Sequence, residues 1–254
     1  MTPASSGTYQ KLVWSDEFDG QGAIDGSKWN TEVTCAPQNN ENQCYTGDAQ
    51  NLTQDGQGHL VVQANRQAGL ANGKAFSSAR INSAQKGDFT YGRVEARIKI
   101  PKGQGVWPAF WLMPTDSVYG AWPTSGELDI MEILGSNTNT LYGTAHYGLP
   151  QPYVQQQGQS NAADFSLDYH VYALERDAKQ IRWYVDGQLF YTMNDNQTAF
   201  WPNNATQGAD GSPWPFNQRF YVIFNLAMGG DWPGAVDGNI NQATMLIDYV
   251  RIYN

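Results

Sequence analysis

The sequence predicts an all-β protein, an antiparallel β-sandwich of two sheets, and three observations carry that prediction. Apolar and polar residues alternate with period two from end to end of the 254-residue chain. Aromatic residues make up 13 % and charged residues only 15 %, against about 25 % charged in an average globular protein. Aromatic side chains suit pleated surfaces, whereas helical bundles are rich in Glu, Lys, Ala and Leu. Finally, no segment combines helix caps with a 3.6-residue period, and many strands of similar spacing without internal repeats point to a sandwich.

Residues 1–10 read as a loose N-terminal segment, and no linker divides the chain, so 1–254 reads as one domain. Leu60–Val62 is a strand. Val94, Ala96, Ile98 and Ile100 interleave with Arg93, Glu95, Arg97 and Lys99, which predicts one buried and one wet face. Further strands are expected over Leu128–Leu134, Tyr169–Leu174, Phe220–Leu226 and Met245–Tyr253. Ile181–Val185 and Leu189–Met193 flank Asp186-Gly187, a hairpin signal, since a type I′ turn needs positive φ at both positions. Residues 194–218, with Trp201, Trp214 and three prolines, read as an ordered loop shaping a site.

Lys and Arg number 15 against 24 Asp and Glu, a net charge of −9. An acidic chain without a basic run repels phosphate, which argues against nucleic acid and anionic membrane as partners. Cys35 and Cys44 enclose a polar loop with no neighbouring His to complete a zinc set. A short-loop disulfide is the expectation, favouring an oxidising compartment, with two buried thiols as the alternative. The excess of Trp and Tyr suits either a sandwich core or a surface that stacks on sugar rings. The sequons at Asn51, Asn196 and Asn204 mean nothing without a eukaryotic secretory host.

Chemistry concentrates in Trp122-Pro-Thr-Ser-Gly-Glu127-Leu-Asp129-Ile-Met-Glu132. Glu127 and Asp129 leave one face of a strand, but Glu132, five residues on, would point into the core, where a lone carboxylate is costly. A β-bulge at Ile130-Met131 restores the phase and puts all three acids on one face. Four effective strand steps then place the outer Cβ atoms roughly 13 Å apart. Two glutamates leaning together can close that gap to the ~5–5.5 Å that retaining glycosidases need. Asp129 between them would hydrogen-bond one partner and separate the pKa values. The alternative is a solvent-facing acidic strand or a calcium patch.

At these residues the chain resembles glycoside hydrolase family 16, whose Glu-x-Asp-x-x-Glu signature is the bulged form. The resemblance covers nearly the whole chain, through Val13-Trp-Ser-Asp-Glu-Phe18, Asn39-Asn-Glu-Asn-Gln-Cys-Tyr-Thr46, Ser78-Ala-Arg-Ile81, Tyr91-Gly-Arg-Val-Glu-Ala-Arg97, Trp107-Pro-Ala-Phe-Trp111 and Gly143-Thr-Ala-His-Tyr147. It continues in Tyr184-Val-Asp-Gly187, Phe224-Asn-Leu-Ala-Met-Gly-Gly-Asp-Trp-Pro-Gly234 and Asp248-Tyr-Val-Arg-Ile-Tyr253.

The resemblance implies a β-jelly roll, concanavalin A-like, with an open cleft on its concave sheet, and retaining endo-hydrolysis. The laminarinase-like branch, acting on β-1,3-glucans, is the nearest in pattern. Carried over by position, Glu127 is the nucleophile, Glu132 the acid/base, Asp129 the supporting carboxylate and His146 a cleft neighbour. Trp107, Trp111, Trp122 and Trp232 are implied as stacking platforms, and Asn40, Arg80 and Asn225 as partners of sugar hydroxyls. Trp111 could equally pack in the core, and Arg80 could serve a structural ion pair. His59 and His170 read as structural.

No cofactor is implied for catalysis. One structural calcium is implied, on backbone oxygens of Glu17 and Gly58 and the Asp248 side chain. A secreted monomer, without its leader here, is expected, with β-glucan as its partner. Two departures stand out: Thr34-Cys-Ala-Pro-Gln-Asn39 lacks the expected Gly- and Trp-containing stretch, and Arg176 replaces the usual Trp. The run Gln155-Gln-Gln-Gly-Gln159 belongs to no family pattern. The competing functions are a family 16 agarase or carrageenase, and a non-catalytic glucan-binding protein, whose relatives lack the two glutamates.

Overall fold

Asp186 and Gly187 turn the chain with φ of +49° and +77°, the two left-handed positions of a type I′ hairpin. The structure is a computed structural model describing residues 9–148, 153–161, 164–195 and 214–254. In chain order its strands are β1 (Leu12–Asp16), β2 (Gln21–Gly22), β3 (Asn30–Thr31), β4 (Gln43–Tyr45), β5 (Leu52–Asp55), β6 (Leu60–Arg66), β7 (Phe76–Ser78), β8 (Arg80–Asn82) and β9 (Gly92–Lys99). They continue with β10 (Val106–Pro114), β11 (Glu127–Glu132), β12 (Thr140–Gly148), β13 (Tyr153–Asn161), β14 (His170–Arg176), β15 (Gln180–Val185), β16 (Gln188–Asn194), β17 (Phe220–Met228) and β18 (Gln242–Tyr253).

Two sheets form the sandwich. The smaller runs β13-β12-β11-β10-β17-β8-β3, antiparallel throughout. The larger runs β16-β15-β14-β9-β18-β6-β5-β2, with β1 on β18 and β4 joined in parallel to β7. One apolar core lies between them, where Val94, Ala96 and Ile98 of β9 meet Phe110 and Leu112 of β10 and Phe224 and Leu226 of β17. Burial of those inward positions is the main driving force for stacking the two layers.

The outer face of β9 is not wet throughout. Arg93 and Glu95 are as buried as the core. Arg93 Nε donates to Glu95 Oε2 at 2.9 Å and its Nη1 to Glu175 Oε1 at 3.2 Å, while Tyr184 Oη donates to Glu175 Oε2 at 2.9 Å. Charges survive burial only when paired in this way, and Arg93, Glu175 and Tyr184 come from three adjacent strands. At the chain start, Lys11 exchanges both backbone hydrogen bonds with Asn254, which ties the chain down immediately after the segment expected to be loose. Cys35 and Cys44 form a disulfide. The Asn51 sequon is closed by burial, its amide donating to Gln63 O at 2.8 Å; Asn196, Asn204 and Trp201 lie outside the described residues.

Candidate active site

The bulge lies where the odd spacing of the acids requires it. On β10, Ala109, Phe110 and Trp111 face Glu132, Met131 and Asp129 in turn, which leaves Ile130 as the extra residue. On β12 the register likewise jumps between Asp129–Thr144 and Glu132–Tyr142. Leu128, Ile130 and Met131 are fully buried in the core, and Glu127, Asp129 and Glu132 line one cavity on the opposite face. The bulge is fastened from the other sheet, because Trp183 of β15 donates its indole N–H to the Asp129 backbone oxygen at 2.8 Å.

Each outer carboxyl has its own indole donor. Trp122 Nε1 donates to Glu127 Oε2 at 2.6 Å, and Trp107 Nε1 to Glu132 Oε1 at 3.1 Å. His146 Nε2 lies 3.1 Å from Asp129 Oδ2. Burial raises all three carboxyls, and the Asp129 charge raises Glu127 and Glu132 further. Glu132 is held well above the ordinary carboxylate range, the protonation an acid catalyst needs. Glu127 is pushed up to about 8; His146 and the Trp122 N–H oppose the rise there, as His146 and the Trp107 N–H do on Glu132.

Asp129→Asn removes a charge that raises both glutamates. Both limbs of the kcat/KM–pH profile should therefore move to lower pH, by about one unit. A profile that stayed in place or moved up would contradict that electrostatic reading.

Two adjoining cavities share Trp107, Glu127 and Glu132 and together form the cleft. One half holds Arg80, Trp111 and Asn225; the other holds Trp122, Tyr142, His146 and Trp232. A model of the family described as glycosyl hydrolases family 16 matches residues 38–250. The chain belongs to glycosyl hydrolase family 16.

A beta-glucanase of Rhodothermus marinus is 38 % identical over 96 % of this chain and 85 % of its own. The X-ray structure of the laminarinase from Rhodothermus marinus superposes with a TM-score of 0.86 at 37 % identity, covering 97 % of this chain and 98 % of that one. A glucan endo-1,3-beta-glucosidase A1 of Niallia circulans is 38 % identical over 99 % of this chain, which spans 38 % of that longer protein.

The expected residues of the family 16 site gather at this cleft with one exception. Asn40 donates to Asp231 at 2.8 Å and lines a neighbouring depression, while the adjacent Asn39 lines both halves of the cleft. Both take left-handed φ, +53° and +55°, which asparagine tolerates, so successive side chains diverge. Trp122 and Trp232 are 48 % and 39 % exposed, and Trp232 meets Trp107 and Tyr142 edge-on. Trp111 is tied down: its N–H donates to Asn225 Oδ1 at 2.7 Å, and Arg80 sits 4.7 Å over its ring. Arg80 also pairs with Glu32 at 3.0 Å, so its ion-pair and cleft readings hold together, whereas Trp111 is half-buried on the cleft wall and not in the core.

Glu41 was not foreseen. It lines the Arg80 half of the cleft, buried, accepting from Gln43 Nε2 at 2.6 Å and Tyr45 Oη at 3.2 Å. Tyr45 Oη in turn accepts from Asn225 Nδ2 at 3.0 Å. Its place in the Asn39-Asn-Glu41 match, inside the Cys35–Cys44 loop, was the only signal for it. Of the expected 194–218 loop, residues 196–213 lie outside those described; Phe216 packs so closely under Gly126 that a Cβ there would lie 2.7 Å from its ring. Gly126 also needs its φ of +88°, and this fit delivers the chain into Glu127. His59 and His170 lie away from the cleft, each on an aspartate, Asp55 at 2.8 Å and Asp186 at 2.7 Å.

Glu17, Gly58 and Asp248 all line one groove on the outer face of the larger sheet, with Arg97 and Arg251 beside them. Asp248 Oδ2 accepts from Arg97 at 2.5 Å, and both oxygens of Glu17 are held by Arg251. The side-chain oxygen that remains is the second one of Asp248, a donor type suited to a hard cation. The groove is remote from the carboxylate strand, so no catalytic step would involve it.

Proposed function

We propose that this chain is a retaining endo-β-1,3-glucanase that cleaves laminarin-type chains and mixed-linkage β-1,3-1,4-glucan. The observation that carries the reading is the bulged Glu127-Asp129-Glu132 face, with an indole donor on each outer carboxyl, in a family that includes the similar glucanases and laminarinase named above.

Glu127 attacks the anomeric carbon as the glycosidic C–O bond breaks, and Glu132 gives its proton to the leaving oxygen. Glu132 then takes a proton from the water that attacks the same carbon, and the Glu127 ester bond breaks. Two inversions leave the β-anomer. Trp122 and Trp232 serve as stacking platforms, and Asn39, Arg80 and Asn225 as partners of sugar hydroxyls.

The test is a product profile on laminarin, barley glucan, agarose and carrageenan, with proton NMR of the first product. Laminarin oligosaccharides in the β-configuration are expected; an α-product or cleavage confined to the galactans would refute the assignment. The sulfated-galactan reading is weaker because Arg80, a cation of the cleft wall, is already engaged by Glu32.

The disulfide supports a secreted protein, and a monomer is proposed with it. Structural calcium is proposed on the Glu17, Gly58 and Asp248 oxygens. Calcium should raise the midpoint of thermal unfolding by a few degrees at saturation, chelation should reverse that, and Asp248→Asn should abolish it.

A further inference from the structure

The glutamine run is unused by the reaction, yet it forms part of the cleft. Gly143 of β12 and Gly158 of β13 are cross-strand partners. A Cβ on the first would lie 2.5 Å from Trp183, and on the second 2.2 Å from Tyr191, so both faces point inward and are packed shut. Strand alternation then sends Gln155, Gln157 and Gln159 to the cleft, while Gln156 points inward and donates to Tyr147 Oη at 2.8 Å. A slip of one residue would reverse every side chain, and the two glycines forbid it.

The pairing sets three rows across the sheet: Glu127–His146–Gln155, Asp129–Thr144–Gln157 and Glu132–Tyr142–Gln159. The backbone of the three glutamines therefore runs two strand spacings, about 10 Å, from that of the acids. Gln155, Gln157 and Gln159 are all exposed, and Gln157 is oriented by donating to Thr144 Oγ1 at 3.1 Å. Each amide offers two donors and an acceptor without charge, a match to sugar hydroxyls. Among the described residues, no lysine or arginine lines this half of the cleft, while Asp231 adds a carboxylate to it. A sulfated or uronic chain would find repulsion here and no counter-charge.

We infer that Gln155, Gln157 and Gln159 form a specificity-determining ladder that binds hydroxyls of uncharged sugar units on the β13 side of the scissile bond. This deepens the glucanase reading and rests on it. The triple variant Q155A/Q157A/Q159A should raise KM for a β-1,3-linked glucose hexasaccharide about tenfold while kcat changes less than about twofold, the loss expected for neutral hydrogen bonds. Gln159→Ala alone should raise it about twofold and covers the case in which the triple variant folds poorly. A KM within experimental error of wild type in both variants, or a fall in kcat at constant KM, would overturn the inference. If wild type leaves β-1,3-glucan uncut, the glucanase reading falls, and the same KM ratio on whichever neutral glycan it does cut decides the ladder.

Discussion

Glu127→Ala and Glu132→Ala should each lose on the order of 10⁴-fold or more in kcat on β-1,3-glucan while remaining folded and able to bind the chain. The two losses differ in kind. Without Glu127 the ester cannot form; without Glu132 the leaving oxygen departs unprotonated, so a substrate with a good leaving group, such as a dinitrophenyl glycoside, should regain much of the rate only in Glu132→Ala. Added azide should then trap the ester in Glu132→Ala as the β-glycosyl azide, and in Glu127→Ala it should attack directly to give the α-azide. Near-wild-type turnover in Glu132→Ala, or the same azide anomer from both variants, would reverse or abolish the assigned roles. Stability should move the other way. Both carboxyls bind protons more tightly folded than unfolded, so folding loses stability as pH rises through and above the ordinary carboxylate range. Either substitution removes that cost, and the variants should melt higher than wild type at pH 8.

What the sequence could and could not disclose follows from the range of the physics involved. The bulge was readable locally: an odd spacing, an apolar flank and the cost of a buried carboxylate admit few alternatives. The Asp186-Gly187 hairpin was readable because positive φ at two adjacent positions restricts residue choice. The Arg93–Glu175 pair was not, since alternation alone makes Arg93 wet, and this second counter-charge, beyond Glu95 of its own strand, comes from the neighbouring strand. The same applies to Glu41, whose Oε2 accepts from Gln43 and Tyr45 only once β4 forms. Asn39 and Asn40 are chemically identical neighbours, so only the backbone conformation decides which of them enters the cleft. The Gln155–Gln159 run carried no motif; its meaning comes from Gly143 and Gly158, which matter only because Trp183 and Tyr191 lie beneath them.

Trp183 shows how far the site depends on the opposite sheet. It is fully buried, packs against Gly143 and gives its one N–H to the Asp129 carbonyl inside the bulge. Trp183→Phe keeps most of the apolar volume but leaves that carbonyl without its donor, which should cost about 1–3 kcal/mol. Trp183→Ala adds a cavity and should cost about 3–5 kcal/mol, with the midpoint of chemical denaturation as the measurement. Activity should separate this role from simple packing. With the carbonyl released, the bulge can relax toward regular strand register and rotate Glu132 away from Glu127, so Trp183→Phe should lose up to about 10²-fold in kcat under conditions where it is fully folded. Trp29→Phe is the matched control. That indole is equally buried and donates to Asp16 at 2.8 Å, far from the acids, so it should lose similar stability at wild-type kcat. Equal kcat in the two phenylalanine variants would mean that the bulge holds its register without Trp183.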